Sequence, residues 1–60
     1  MSEQELINRI TILKQQLDLI TKYRDGFDKK YGNSVVQKMI DKTLDEFFLR
    51  KKQLKNIQNN

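Results

Sequence analysis

The stretch Tyr31-Gly32-Asn33-Ser34-Val35-Val36-Gln37 decides how this chain folds. Gly32 and Asn33 separate two long runs of helix-forming sequence. Glycine supplies the left-handed backbone that ends a helix, and asparagine tolerates it. Ser34, with Gln37 three residues on, is a capping-box pattern that opens a second helix. A turn confined to 32–34 is too short to let the flanking helices diverge, so they are expected to pack antiparallel. The expected fold class is therefore all-α: a single domain over 1–60, built as an antiparallel two-helix hairpin.

Upstream of the turn, Ser2-Glu3-Gln4-Glu5 is another capping box. Leu6, Ile10, Leu13, Leu17 and Ile20 then recur at alternating spacings of four and three, a seam of coiled-coil type. The same rhythm reaches Arg24, Phe27 and Tyr31, which predicts helix 1 over about 3–31. Asp25-Gly26 is a competing turn signal, since a glycine inside a helix costs about 1 kcal/mol relative to alanine. On that alternative, helix 1 ends near Arg24 and a loop fills 25–33. The in-phase Phe27 and Tyr31 favour the longer helix.

Downstream, Val36, Ile40, Leu44, Phe47, Phe48 and Leu54 are the apolar residues of helix 2, with Ile57 at its fraying end. No proline interrupts it. Helix 2 is predicted over about 35–57, and the Asn56–Asn60 end reads as a disordered tail. Antiparallel pairing brings Leu6 near Leu54, and Phe27 or Tyr31 near Val36 and Ile40.

Sixty residues bury a smaller fraction of their surface than a larger chain does, and such scaffolds usually need disulfides, a metal or oligomerisation. Cysteine and histidine are both absent, which excludes disulfides, thiol nucleophiles, histidine bases and zinc sites. Oligomerisation remains. Helix 1 carries a second stripe, Ile12, Leu19 and Tyr23, well round from the main seam at roughly 100° per residue. Val35 and Met39 lie off the seam of helix 2. A two-helix hairpin cannot cover both sets, so a homodimer forming a four-helix bundle is expected. The alternative is that the second stripe waits for a different protein.

The net charge of +4 combines twelve basic with eight acidic residues. Arg50-Lys51-Lys52 with Lys55 is the one basic cluster, read first as a solvated face. An acidic protein partner or nucleic acid are the sharper readings, and the interleaved acids weigh against nucleic acid. No apolar run approaches the roughly 20 residues of a membrane span. The acidic, polar N-terminus is unlike a secretory signal, so a cytoplasmic location is expected. No P-loop, dinucleotide-binding or triad pattern is present.

Helix 2 also carries the residues that point to chemistry. Asp45 falls on the side away from Val36, Ile40 and Phe47, with Lys38, Leu49 and Lys52 beside it and Asp41 and Lys42 at its flanks. Phe48, next to Phe47, cannot share its seam and is read as an edge residue, a packing or docking anchor. In the plainest reading, Asp45 is a surface acid among surface bases, whose pairs contribute about 0–1 kcal/mol. Asp41 and Asp45 are too few to hold a metal alone, because Mg²⁺ sites add substrate oxygens and waters. One carboxylate on a rigid helix does suffice to orient a water inside a site that another protein provides.

The segments Lys29–Val36 and Ile40–Phe48 resemble the small stage-zero sporulation aspartyl-phosphate phosphatases of bacilli, which are short helical hairpins. Their second helix carries a Ser-Gln-Glu-Leu-Asp pentapeptide followed by apolar residues. The corresponding residues here are Asp41-Lys42-Thr43-Leu44-Asp45. Leu44 and Asp45 agree, Asp41 replaces the serine, and Lys42-Thr43 replace Gln-Glu.

The resemblance implies a negative regulator of sporulation that dephosphorylates the aspartyl phosphate of a response regulator. It implies Asp45 as the catalytic residue, entering a receiver's acidic, Mg²⁺-holding site, with no cofactor of the chain's own. Lys38, Asp41, Lys42, Phe48, Leu49 and Lys52 would form the docking surface. The alternatives are a non-catalytic helical interaction module, and a nucleic-acid binder using Arg50, Lys51, Lys52 and Lys55.

Overall fold

The computed structural model describes residues 1–59. The architecture is all-α, with helices α1 (Glu3–Lys22), α2 (Arg24–Tyr31) and α3 (Asn33–Gln58). The N-terminal capping box forms: the Glu5 amide donates to Ser2 Oγ at 3.2 Å, and the Ser2 hydroxyl donates to Glu5 Oε1 at 3.1 Å. Glu3 and Glu5 stand in the first turn of α1, where the helix dipole favours negative charge.

The helix expected over 3–31 is interrupted once, at Tyr23 and not at Gly26. Tyr23 leaves helical geometry at φ −110°, ψ 28°. The main-chain ladder continues across it, Tyr23 N to Leu19 O and Phe27 N to Tyr23 O, both at 3.1 Å. The break is therefore a bend in the rod. Just before it the Thr21 hydroxyl donates to the carbonyls of Leu17 at 2.8 Å and Asp18 at 3.1 Å, as Thr11 and Thr43 bond back to Ile7 and Met39 within uninterrupted helix. Gly26 stays helical within α2.

Gly32 alone makes the sharp turn, where a connection over 32–34 was expected. Its backbone, φ 91° and ψ 147°, is open to glycine and strained for other residues. Its amide donates to Asp28 O at 2.8 Å, closing α2, and its carbonyl accepts from Val36 N at 3.1 Å, opening α3. α3 has no side-chain N-cap, so the capping box expected from Ser34 and Gln37 does not form. At the other end α3 runs to Gln58, through most of the segment expected to be a disordered tail; Asn60 lies outside the described residues.

The buried core is small. Leu6, Leu13 and Ile20, seven residues apart on α1, are buried along its length, and Ile20 meets Val36 and Ile40 of α3. Leu17, Phe27, Met39 and Leu44 pack around the Ile20, Val36 and Ile40 cluster. Phe27 thus reaches the expected neighbours, whereas Tyr31 lies exposed and stacks on Phe27 at 6.1 Å between ring centroids. Arg9 of α1 pairs with Glu46 of α3, and Arg24 of α2 with Gln37, so α3 runs back along the chain that precedes it. The molecule is a rod of 45 × 15 × 14 Å. No helix among the described residues is long and apolar enough to cross a membrane.

Candidate functional site on the outer face of α3

The inner face of α3 is set by Val36, Ile40, Leu44 and Phe47, all buried or half-buried. At 3.6 residues per turn, Asp45 lies nine residues beyond Val36, half a revolution round the helix. Lys38, Asp41, Lys42, Asp45, Phe48, Leu49 and Lys52 are all exposed. The residues expected for the site therefore occupy one continuous outer surface of a single rigid helix. None of the ion pairs among the described residues engages Asp45.

The two carboxylates differ in their surroundings. Gln37 Nε2 donates to Asp41 Oδ1 at 3.0 Å, and Arg24 Nη2 donates to Gln37 Oε1 at 3.0 Å. Asp41 is thereby tied towards α2, through a neutral amide that also touches a guanidinium. Asp41 and Asp45 remain like charges one turn apart. Nothing in the spacing of Arg24 revealed it, because Arg24 continues the seam of α1 and reads as a seam residue.

Phe48 is 61% exposed and meets Phe47 edge to face, with ring centroids 5.7 Å apart. The Lys51 ammonium sits over the Phe47 ring at 5.2 Å. Lys42 lines a cleft of about 440 Å³ with Gln16, Leu19, Ile20, Phe27, Met39 and Thr43, so it leans to the α1 side of the outer face. Among the described residues, no three carboxylates cluster to hold a metal ion. The chemistry open to this face is that of one free carboxylate, bordered by lysines and an exposed phenyl ring.

The best-formed polar contact was missed from sequence. Arg9 grips Glu46 with two bonds, Nε to Oε2 and Nη2 to Oε1, both at 2.8 Å. Arg50 adds a third contact to Glu46 Oε2 at 3.4 Å and donates to Gln53 at 2.9 Å. Bidentate guanidinium–carboxylate pairs are strong and directional. The Arg9 hydrogen bond holds the Glu46 carboxyl at about 2, against an opposing push from desolvation. Predicting this pair requires knowing the interhelical register to within one turn.

The same contact reshapes the basic cluster. Arg50 is turned inward to Glu46, while Lys51, over the Phe47 ring, lines one surface cleft with Lys52 and Lys55. Comparison with protein-family models, curated proteins and solved structures gives no match for this chain.

Proposed function

We propose that the chain is a phosphatase for the aspartyl phosphate of a response regulator, a negative regulator of sporulation, with Asp45 as the catalytic residue. The observation that carries this reading is the position of Asp45. Neither Asp41 nor Asp45 of the outer face is in an ion pair among the described residues, but Asp41 accepts from Gln37 while no side-chain hydrogen bond engages Asp45, on a helix whose opposite side is fixed by the core. A carboxylate presented in this way can enter a partner's site and accept a proton from a water aligned with the phosphorus. Water then attacks, the bond from phosphorus to the partner's aspartyl oxygen breaks, and inorganic phosphate and a free carboxylate result. Positioning of a nucleophile in this way is a large source of rate acceleration. Any Mg²⁺ belongs to the receiver.

Lys38, Lys42 and Lys52 suit an acidic receiver surface, and complementary charge raises association rates more than final affinity. Phe48 and Leu49 supply apolar contact at the same surface. Asp41 stands where the family has serine, and Gln37 holds its carboxylate by one hydrogen bond. On this reading the chain works in the cytoplasm as a two-helix hairpin, with α1 and α2 as one bent arm and α3 as the other. A homodimer with a four-helix core completes it.

The test is to follow phosphate release from a phosphorylated receiver domain with and without the purified protein. Acceleration that Asp45→Ala abolishes, with receiver binding retained, is the expected outcome. A rate equal to the buffer control, or one unchanged by Asp45→Ala, removes the catalytic reading. Binding without acceleration favours the second reading, a non-catalytic helical interaction module. That reading draws on the exposed apolar residues Ile12, Leu19, Tyr23 and Val35, which need no chemistry.

A further inference from the structure

We propose that a second copy of this chain docks on the side of the rod formed by Ile12, Leu19 and Tyr23 of α1 and its bend with Val35 and Met39 of α3. Asp45, Phe48 and Lys52 are then left uncovered in both copies, with Lys42 at the boundary between the two surfaces. This rests on the dimer reading above and deepens it by assigning the interface.

The first argument is surface area. A compact monomer of 7.2 kDa exposes about 4,100 Å² by the general relation of surface to mass. This chain exposes 4701 Å². The excess of about 600 Å² approaches the roughly 800 Å² that each partner contributes to a stable protein interface. One long side of a rod measuring 45 by 14 Å offers an area of that order.

The second argument is what that side carries. Ile12, Leu19 and Tyr23 are each 44% or more exposed, at the seven-and-four spacing of a second helix-packing seam. A seam of that period fits another helix, and the chain's own α3 already occupies the first seam. Between the arms lies the cleft floored by Ile20, Phe27 and Met39 and edged by Leu19. Its volume of about 440 Å³ accommodates apolar side chains from a partner helix. The polar residues at its walls, Gln16 and Thr43, are uncharged, with Lys42 at the rim. Depletion of charge at the centre of a patch is the compositional mark of an interface core.

The third argument is geometric separation. Met39 and Asp45 lie six residues apart on α3, or about 120° around the helix. A partner seated over Met39 and Leu19 does not reach Asp45, Phe48 or Lys52. Each copy then presents its own catalytic face, and a dimer engages two receiver domains.

Sedimentation equilibrium of the full chain near 100 µM, with far-UV circular dichroism as a control for folding, tests the assignment. The wild type and Leu49→Lys are expected to be dimeric. Leu19→Lys and, independently, Tyr23→Lys are expected to weaken self-association at least tenfold while keeping their helix content. Both positions are exposed in the single chain, so neither change should unfold it; should one do so, the other carries the test. A monomeric wild type removes the dimer reading itself. A dimer that survives Leu19→Lys and Tyr23→Lys overturns the interface assigned here, and its loss on Leu49→Lys instead places the interface on the Asp45 face.

Discussion

Truncating one leucine on each side of α1 separates what holds the single chain together from what it presents outward. Leu13 is 1% exposed and Leu19 is 51% exposed, on the same helix. Leu13→Ala removes the equivalent of three carbons from the core. At about 0.8 kcal/mol for each, transfer alone accounts for roughly 2.4 kcal/mol. The cavity left behind brings the loss to about 3 kcal/mol. A 60-residue domain has only about 3–9 kcal/mol of stability in total, at 0.05–0.15 kcal/mol per residue. Leu13→Ala therefore lowers the melting temperature by about 12–24 °C or leaves the chain largely unfolded at room temperature. Leu19→Ala at protein concentrations too low for association is expected to fall within about 0.5 kcal/mol of wild type, as exposed substitutions do. Urea titration followed by circular dichroism, at low and high protein concentration, reads both. Equal costs for Leu13→Ala and Leu19→Ala at low concentration would refute the assignment of the inner face of α1.

The two glycines should respond to the same change with opposite signs. Gly26 is helical with open space around it, so Gly26→Ala is expected to stabilise by about 0.5–1 kcal/mol. Gly32 has equal space but a φ of 91°, so Gly32→Ala is expected to destabilise by about 1–3 kcal/mol through backbone strain; thermal melts compare them, and equal shifts would contradict the turn geometry. The Glu46 carboxyl titrates at about 2 in the folded chain against 4.5 for the free side chain. A lowered acid makes its contribution in full above pH 4.5, and loses it as pH falls towards 2. Stability should decline across that window, and Glu46→Gln should flatten the decline; an unchanged acid titration in Glu46→Gln means that the pair with Arg9 does not form in solution.

Much of the architecture follows from residues three and four apart, and such patterns are visible in one dimension. The Leu6, Leu13 and Ile20 spacing defines the inner face of α1, and Val36 and Ile40 define that of α3. Once that inner face is known, the helical period alone sends Asp45 to the opposite side, so the outer face was legible from sequence. The end of α2 at Gly32 was legible too, because only a glycine accepts that backbone without strain.

What the tertiary structure decided depends on register. The break falls at Tyr23, while Gly26, the weaker helix former, is carried through. α3 continues to Gln58 despite its polar last turns. Arg9 meets Glu46 across 37 residues of sequence, and Gln37 joins Asp41 to Arg24. Helical period determines which way a side chain points, but only the packed interface determines which residue stands opposite it. Asp41 and Asp45 look alike in the sequence, and the packing of α2 against α3 ties one through Gln37 to Arg24 while no side-chain hydrogen bond engages the other.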